Sequence, residues 1–186
     1  MRLYGSPTSP YTRKVRVLAL ELGLHLDLEW VNPLEDPPSL LAHAPLGRVP
    51  VLVTEEGPFF DSRVIADVLC AYTGAAPETP RERCLEALAE GVMDEALAMR
   101  MAEVRGQGNA PWLERGWSKI KRALASLESQ LPTGFDRPAI GIACALAYVD
   151  FRLGARPWRD ECPLLADWLK EASGRPSMKA TEYGVT

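Results

Sequence analysis

A chain of 186 residues can form one large domain or two small ones. Its hydrophobic share of 47% and charged share of 25% are those of an ordinary globular protein, and a net charge of -4 without a basic stripe argues against nucleic acid as a partner. The longest apolar run, Ile140 to Val149, is too short to span a bilayer and no apolar signal core opens the chain, so a soluble, cytoplasmic protein without a membrane partner is expected.

In chain order, "MRLYG" reads as a short strand. "PYTRKVRVLALELGL" follows with Val15, Val17, Leu18, Leu20 and Leu22 at helical spacing, and Gly23 stands where a helix-ending glycine belongs. "LHLDLEWV" alternates apolar and polar residues as a second strand does. A helix between two strands is most simply a right-handed βαβ unit with parallel strands. "PPSLLAHAPLG" reads as a loop with at most a short helix, and "RVPVLVT" and "GPFFD" as two more strands joined by the turn "EEG". "DSRVIADVLCAYTG" is a helix with Asp61 as N-cap and Gly74 at its end.

Beyond this point the strand pattern stops. Thr79 and Pro80 suit the cap and first position of a long helix, and three more helical stretches follow: one after Asn109, "AIGIACALAYVDFRL", and "PLLADWLKEASG". The boundary falls in "TGAAPETP", a segment without periodicity. The expected organisation is an α/β domain over residues 1–76, ordered βαβ then ββα, and an all-helical domain over residues 83–186.

Several residues invite chemistry. Ser6, Thr8, Ser9 and Thr12 crowd the mouth of the first helix, where a hydroxyl can cap the helix or hydrogen-bond an anion. Asp61 and Ser62 open the later helix in the same way. Cys70, Cys84, Cys144 and Cys162 show no C-x-x-C spacing and read as reduced thiols. His25 and His43 stand apart without metal-ligand spacing, so no metal is expected, and Trp112 and Trp117 read as core or interface. There is no Gly-rich phosphate loop and no G-x-S-x-G.

The βαβ–ββα order, the "VP" of the third strand, the "DS" of the last helix of that half and the closing "GRPSMKAT" together resemble the glutathione transferase family, over essentially the whole chain. The resemblance implies a thioredoxin-like half followed by a helical bundle. "SPYT" stands where thioredoxin-like redox proteins carry C-x-x-C, with Ser9 and Thr12 in place of the cysteines, so dithiol chemistry is excluded. In the family Pro50 would be cis, with the main chain of Val49 pairing with the peptide backbone of glutathione. The Ser62 hydroxyl and N–H would take its α-carboxylate, Asp61 its ammonium region and Arg48 its glycyl carboxylate. Serine-type members place a hydroxyl at Ser9 to stabilise the thiolate, with Thr8 in the same glutathione-binding loop. A one-residue shift would give the role to Thr8 or Thr12, and Tyr4 could imitate the tyrosine-type members. Arg13 and Lys14 would add positive potential. Tyr11, Met93, Leu97 and Arg100 would line the pocket of a hydrophobic electrophile, in an enzyme that is a homodimer like most relatives. Asp136 sits at the cap of the family's buried core helix, but Ala139 replaces the acidic residue that would complete its capping box. Two rival functions share this fold. One is a non-catalytic glutathione-binding or protein-interaction module. The other is a glutathione-dependent isomerase, dehalogenase or lyase.

Overall fold

The computed structural model describes residues 1–184, with Ala110 described by its backbone alone. The chain divides into two units: Met1–Glu78 together with the segment from Pro176, and Thr79–Arg175.

The first unit is built on a four-stranded sheet in the order β2-β1-β3-β4. Strand β1 (Arg2–Gly5) pairs in parallel with β2 (Asp27–Trp30) after the crossover through helix α1 (Pro10–Glu21). Strand β3 (Val51–Thr54) runs antiparallel to β1, and β4 (Gly57–Phe59) antiparallel to β3. A short α2 (Pro38–Leu41) precedes β3, and α3 (Ser62–Thr73) follows β4 and packs on α1. The pleat sorts the side chains. Partners Leu3 and Leu52 are fully buried, as are Val15 of α1 and Ile65 and Leu69 of α3. Partners Tyr4 and Val51 instead join a cluster with Leu40 and Ala44. Each buried Leu or Ile contributes about 1.5–3 kcal/mol over an exposed one.

Helix α1 ends where its glycine predicts: the Leu24 N–H donates to the Ala19 carbonyl at 2.8 Å, around Gly23 at φ 69°. Gly74 closes α3 in the same left-handed conformation at φ 70°. The third strand differs from its expectation. It begins at Val51 rather than Arg48, because Pro50 has no N–H to give a ladder.

The second unit comprises α4 (Pro80–Val104), α5 (Ala110–Glu128), α6 (Arg137–Leu153), a short α7 (Trp158–Glu161) and α8 (Pro163–Ser173). Thr79 and Glu82 form a reciprocal capping box, the Thr79 N–H donating to Glu82 Oε2 at 2.6 Å and the Glu82 N–H to Thr79 Oγ1 at 3.3 Å. Helix α6 is enclosed from Arg137 to Leu146 and packs on α4. Asp136 caps it by accepting from the Ala139 N–H at 3.0 Å. Arg137 donates through Nε to Glu86 Oε1 at 3.0 Å, with Nη2 at 2.9 Å from Oε2, and both side chains are 5% exposed or less.

The helical domain expected over residues 83–186 differs at both ends. Its first helix starts at Pro80, and the segment from Pro176 belongs to the other unit, because α9 (Pro176–Lys179) packs against α1. The last two residues of that expectation lie outside the described residues. No described helix is long and apolar enough to cross a membrane.

Candidate functional site

Sheet register brings three segments to one end of the first unit. Tyr4 faces Val51, so the residues after β1 run beside those before β3; Leu52 faces Phe59, so those after β4 arrive at the same end. The loop Ser6–Ser9, the segment Arg48–Pro50 and the pair Asp61–Ser62 therefore share one edge, together with the N-termini of α1 and α3. Helix N-termini carry unpaired N–H groups and partial positive charge, so two of them make this edge suited to an anion.

At α1 the four hydroxyls separate. Ser9 is the N-cap, half-buried, with φ -81° and ψ 124°, and its Oγ accepts from the Thr12 N–H at 3.1 Å. That bond uses an acceptor lone pair and leaves the hydroxyl proton available to a further acceptor. Thr12 is 1% exposed and packed against Gly5, where a Cβ would lie 2.4 Å from Thr12 Cγ2. Its Oγ1 accepts from the Ser6 N–H at 3.4 Å, so it serves to tie the loop to the helix. Thr8 is exposed and makes no hydrogen bond among the described residues. The first turn of α1 carries no acidic residue, while Arg13 and Lys14 follow directly and are both buried.

The Val49–Pro50 peptide is cis, as is Phe60–Asp61. Pro50 is buried and Val49 half-buried, and the Val49 N–H and carbonyl have no partner among the described residues. An unpaired backbone edge is what an extended peptide ligand adds to. Arg48 is exposed and likewise without an ion-pair partner among the described residues. Asp61 caps α3, accepting from the Arg63 N–H at 3.0 Å, with the Arg63 guanidinium 3.4 Å from its second oxygen. Burial alone would raise the Asp61 pKa. The Arg63 N–H and guanidinium and the Val64 N–H outweigh that and hold it below the usual carboxylate value. Ser62, the first residue of α3, is 3% exposed.

Other expected residues fall elsewhere. Tyr4 is 4% exposed, its ring 5.4 Å from that of His43, and it lines a cleft of about 560 Å3 at the opposite end of the sheet, beside Arg2, Asp27 and Thr54. Ser9, Val49, Asp61 and Ser62 do not line that cleft, so its size does not mark the site. Tyr11 is half-buried on α1. On α4, Met93, expected in the electrophile pocket, is fully buried. Leu97 and Arg100 are partly exposed, and Arg100 Nη1 lies 3.8 Å from Glu103 Oε2. Cys70, Cys144 and Cys162 are buried and Cys84 exposed, none of them in a disulfide, and burial first, then Glu128 and Glu161, pushes the Cys162 thiol pKa up. No group of His, Cys, Asp and Glu suited to a metal occurs among the described residues.

Sequence reasoning missed the setting of Arg13. Its Nη2 donates to the Met178 carbonyl at 3.2 Å, its Nε to Thr181 Oγ1 at 3.5 Å, and its guanidinium stands 4.7 Å from the Tyr183 ring centre. The signal available was a run of basic residues, Arg13, Lys14 and Arg16, on an otherwise apolar helix.

Known proteins match the chain along its length. Residues 3–77 match the glutathione S-transferase N-terminal domain and residues 110–171 the glutathione S-transferase C-terminal domain. The uncharacterized GST-like protein YibF of Escherichia coli (strain K12) is 36% identical, the match covering 98% of each chain. A glutathione transferase family member from Pseudomonas fluorescens Pf-5, solved with bound glutathione, is 38% identical with a TM-score of 0.88 over 99% of both chains. A further structure of such a family member from that organism carries S-(propanoic acid)-glutathione and is 36% identical, with a TM-score of 0.84 over all of both chains. A glutathione S-transferase from Methylobacillus flagellatus KT, solved with glutathione, is 32% identical with a TM-score of 0.87, covering 97% of this chain and 98% of that one. By its two domain matches and these full-length relatives, the chain belongs to the glutathione S-transferase family.

Proposed function

We propose that this chain binds reduced glutathione at the shared edge of the first unit and, through Ser9, stabilises its thiolate for attack on an electrophile. The observation that carries the reading is the Ser9 hydroxyl. Its oxygen is occupied by the Thr12 N–H and its proton is left to donate, at the N-terminus of a helix whose first turn has no acid. The relatives solved with glutathione support the ligand.

A free thiol has a pKa near 8.5 and is only a few per cent ionised at pH 7. A donated hydrogen bond and a helix N-terminus favour the anion and raise that fraction. Val49 would pair its backbone N–H and carbonyl with the peptide, the N-terminus of α3 with Asp61 and Ser62 would receive the γ-glutamyl end, and Arg48 the glycyl carboxylate. The thiol proton leaves to solvent and the sulfur lone pair forms a C–S bond. The displaced electron pair then departs with a leaving group or, in an addition, takes up a proton. A thioether of glutathione such as the one held by the Pseudomonas relative is the kind of product such an addition forms.

Calorimetric titration with reduced glutathione and turnover of a model electrophile test this directly. Saturable binding in wild type, and in Ser9→Ala binding kept with turnover lost, is the expected result. Binding without turnover toward any electrophile would leave a glutathione-binding module. Turnover that does not consume glutathione would mark an isomerase or lyase.

A further inference from the structure

We propose that the helical unit binds an organic carboxylate at Arg152 of α6, with the Phe151 ring against the ligand's body and Arg100 of α4 as a second cation. The site does not depend on the function proposed above, since all three side chains belong to the helical unit.

Arg152 differs from its neighbours in having no anion. Four arginines lie between the start of α6 and the end of α7, and three of them have a carboxylate. Arg137 meets Glu86, Arg156 Nη1 stands 2.7 Å from Glu114 Oε1, and Arg159 Nη2 stands 2.6 Å from Asp150 Oδ2. No carboxylate pairs with Arg152 among the described residues, although the side chain is half-buried. Its company is aromatic. The guanidinium carbon lies 4.2 Å from the Phe151 ring centre and 5.8 Å from that of Tyr148. Its Nε is enclosed and finds no hydrogen-bond acceptor. An enclosed N–H without an acceptor costs stability, so such a group calls for a reason.

Helix α6 packs on α4, which carries Arg100. Burial pushes the Tyr148 hydroxyl pKa up, while a hydrogen bond from Arg152 and the charges of Arg152 and Arg100 act against it. Both cations are therefore near that hydroxyl. Arg100 reaches Glu103 only at 3.8 Å, with both side chains 41% exposed, and exposed pairs of this kind are weak. Ring faces and a hydroxyl orient a guanidinium without cancelling its charge. Two cations thus stand close together against one loosely held carboxylate. A ligand carboxylate fits this arrangement: its two oxygens match the Nε–Nη fork and give Nε the acceptor it lacks. The ring lying on the guanidinium, Phe151, is 41% exposed, so it can turn aside as the carboxylate enters and then cover an apolar body beside the charge. Arg100, expected beside a hydrophobic electrophile, suits a charged molecule instead.

The test is calorimetric titration of the full chain with benzoate at low ionic strength. Benzyl alcohol serves as the ring without the charge, and inorganic phosphate as the charge without the ring. Saturable benzoate binding is expected in wild type, weakened roughly ten- to a hundredfold in Arg152→Met, the size of effect a hydrogen-bonded charge exerts. Arg152→Lys keeps the charge without the fork and recovers part of the affinity. Arg100→Met weakens binding less than Arg152→Met. A wild type that binds no benzoate, or an affinity that Arg152→Met leaves in place, overturns the proposal. Should that variant not fold, an unchanged affinity in both Arg152→Lys and Arg100→Met overturns it equally. Benzyl alcohol binding as tightly as benzoate overturns the role of the charge, and phosphate binding as tightly overturns the role of the ring. A wild type that binds benzoate but no glutathione strikes the proposed function alone.

Discussion

The two units treat most of their polar groups in opposite ways. In the helical unit the N-termini find partners within the unit: Thr79 and Glu82 satisfy one another, Asn109 accepts from the Trp112 N–H at 3.0 Å, Asp136 holds the Ala139 N–H, and Glu128 of α5 receives the Leu164 and Leu165 N–H groups of α8. Its most deeply buried arginine, Arg137, is paired too, with Glu86. In the first unit, at one sheet edge, the Ser9 proton, the Val49 backbone and the Arg48 side chain have no partner among the described residues. On the function proposed above, bound glutathione would complete these groups, as an added strand completes an open backbone edge. On that reading the first unit carries the chemistry.

The largest effect should come from breaking the closed side of this contrast. Glu86→Ala takes from the buried Arg137 its bidentate carboxylate and should destabilise the protein by about 3–5 kcal/mol in thermal or denaturant unfolding. Glu86→Leu combined with Arg137→Met should recover most of that loss, since the pair stabilises chiefly by being complete.

On the open side, Ser9→Ala should lower turnover roughly ten- to a hundredfold, because a hydrogen bond to a charged acceptor is worth about 1.5–3 kcal/mol. The same change removes an N-cap and should reduce stability by only about 1 kcal/mol. Thr79→Ala removes a cap in the closed unit and should show the second effect without the first, about 1 kcal/mol in unfolding with kcat unchanged.

The smallest effect concerns pH. The Asp61 pKa is lowered in the folded protein, so its contribution is complete above the unfolded carboxylate value near 3.9 and is lost as pH falls through the folded value. Wild type should therefore lose more stability than Asp61→Asn on acidification below about pH 4, measured by denaturant midpoints across that range.

Much of this fold was legible because its signals are local. The apolar spacing from Val15 to Leu22, the glycines at 23 and 74, and the caps at Asp61, Thr79, Asn109 and Asp136 each act within one or two helical turns. What escaped notice depends on distance along the chain. Arg137 meets Glu86 across 51 residues, and Arg13 meets Met178 across 165, so no window of sequence contains either pair. The return of the segment from Pro176 to the first unit was hidden for the same reason. At the site, the hydroxyl cluster was visible but its division of labour was not. Ser9, Thr8 and Thr12 differ in depth by packing against Gly5 and by the turn of the loop, neither of which spacing encodes. Met93 lies on the buried face of α4, and helical periodicity identifies such a face without telling what covers it.

The central claim is that Ser9 holds the thiolate of bound glutathione. Its most direct test is a pH titration of thiolate absorbance in wild type and Ser9→Ala, both saturated with glutathione. The account predicts a wild-type midpoint well below the free-thiol value near 8.5, moving back towards it in Ser9→Ala. A wild-type midpoint at the free-thiol value, or one that Ser9→Ala leaves in place, would contradict it.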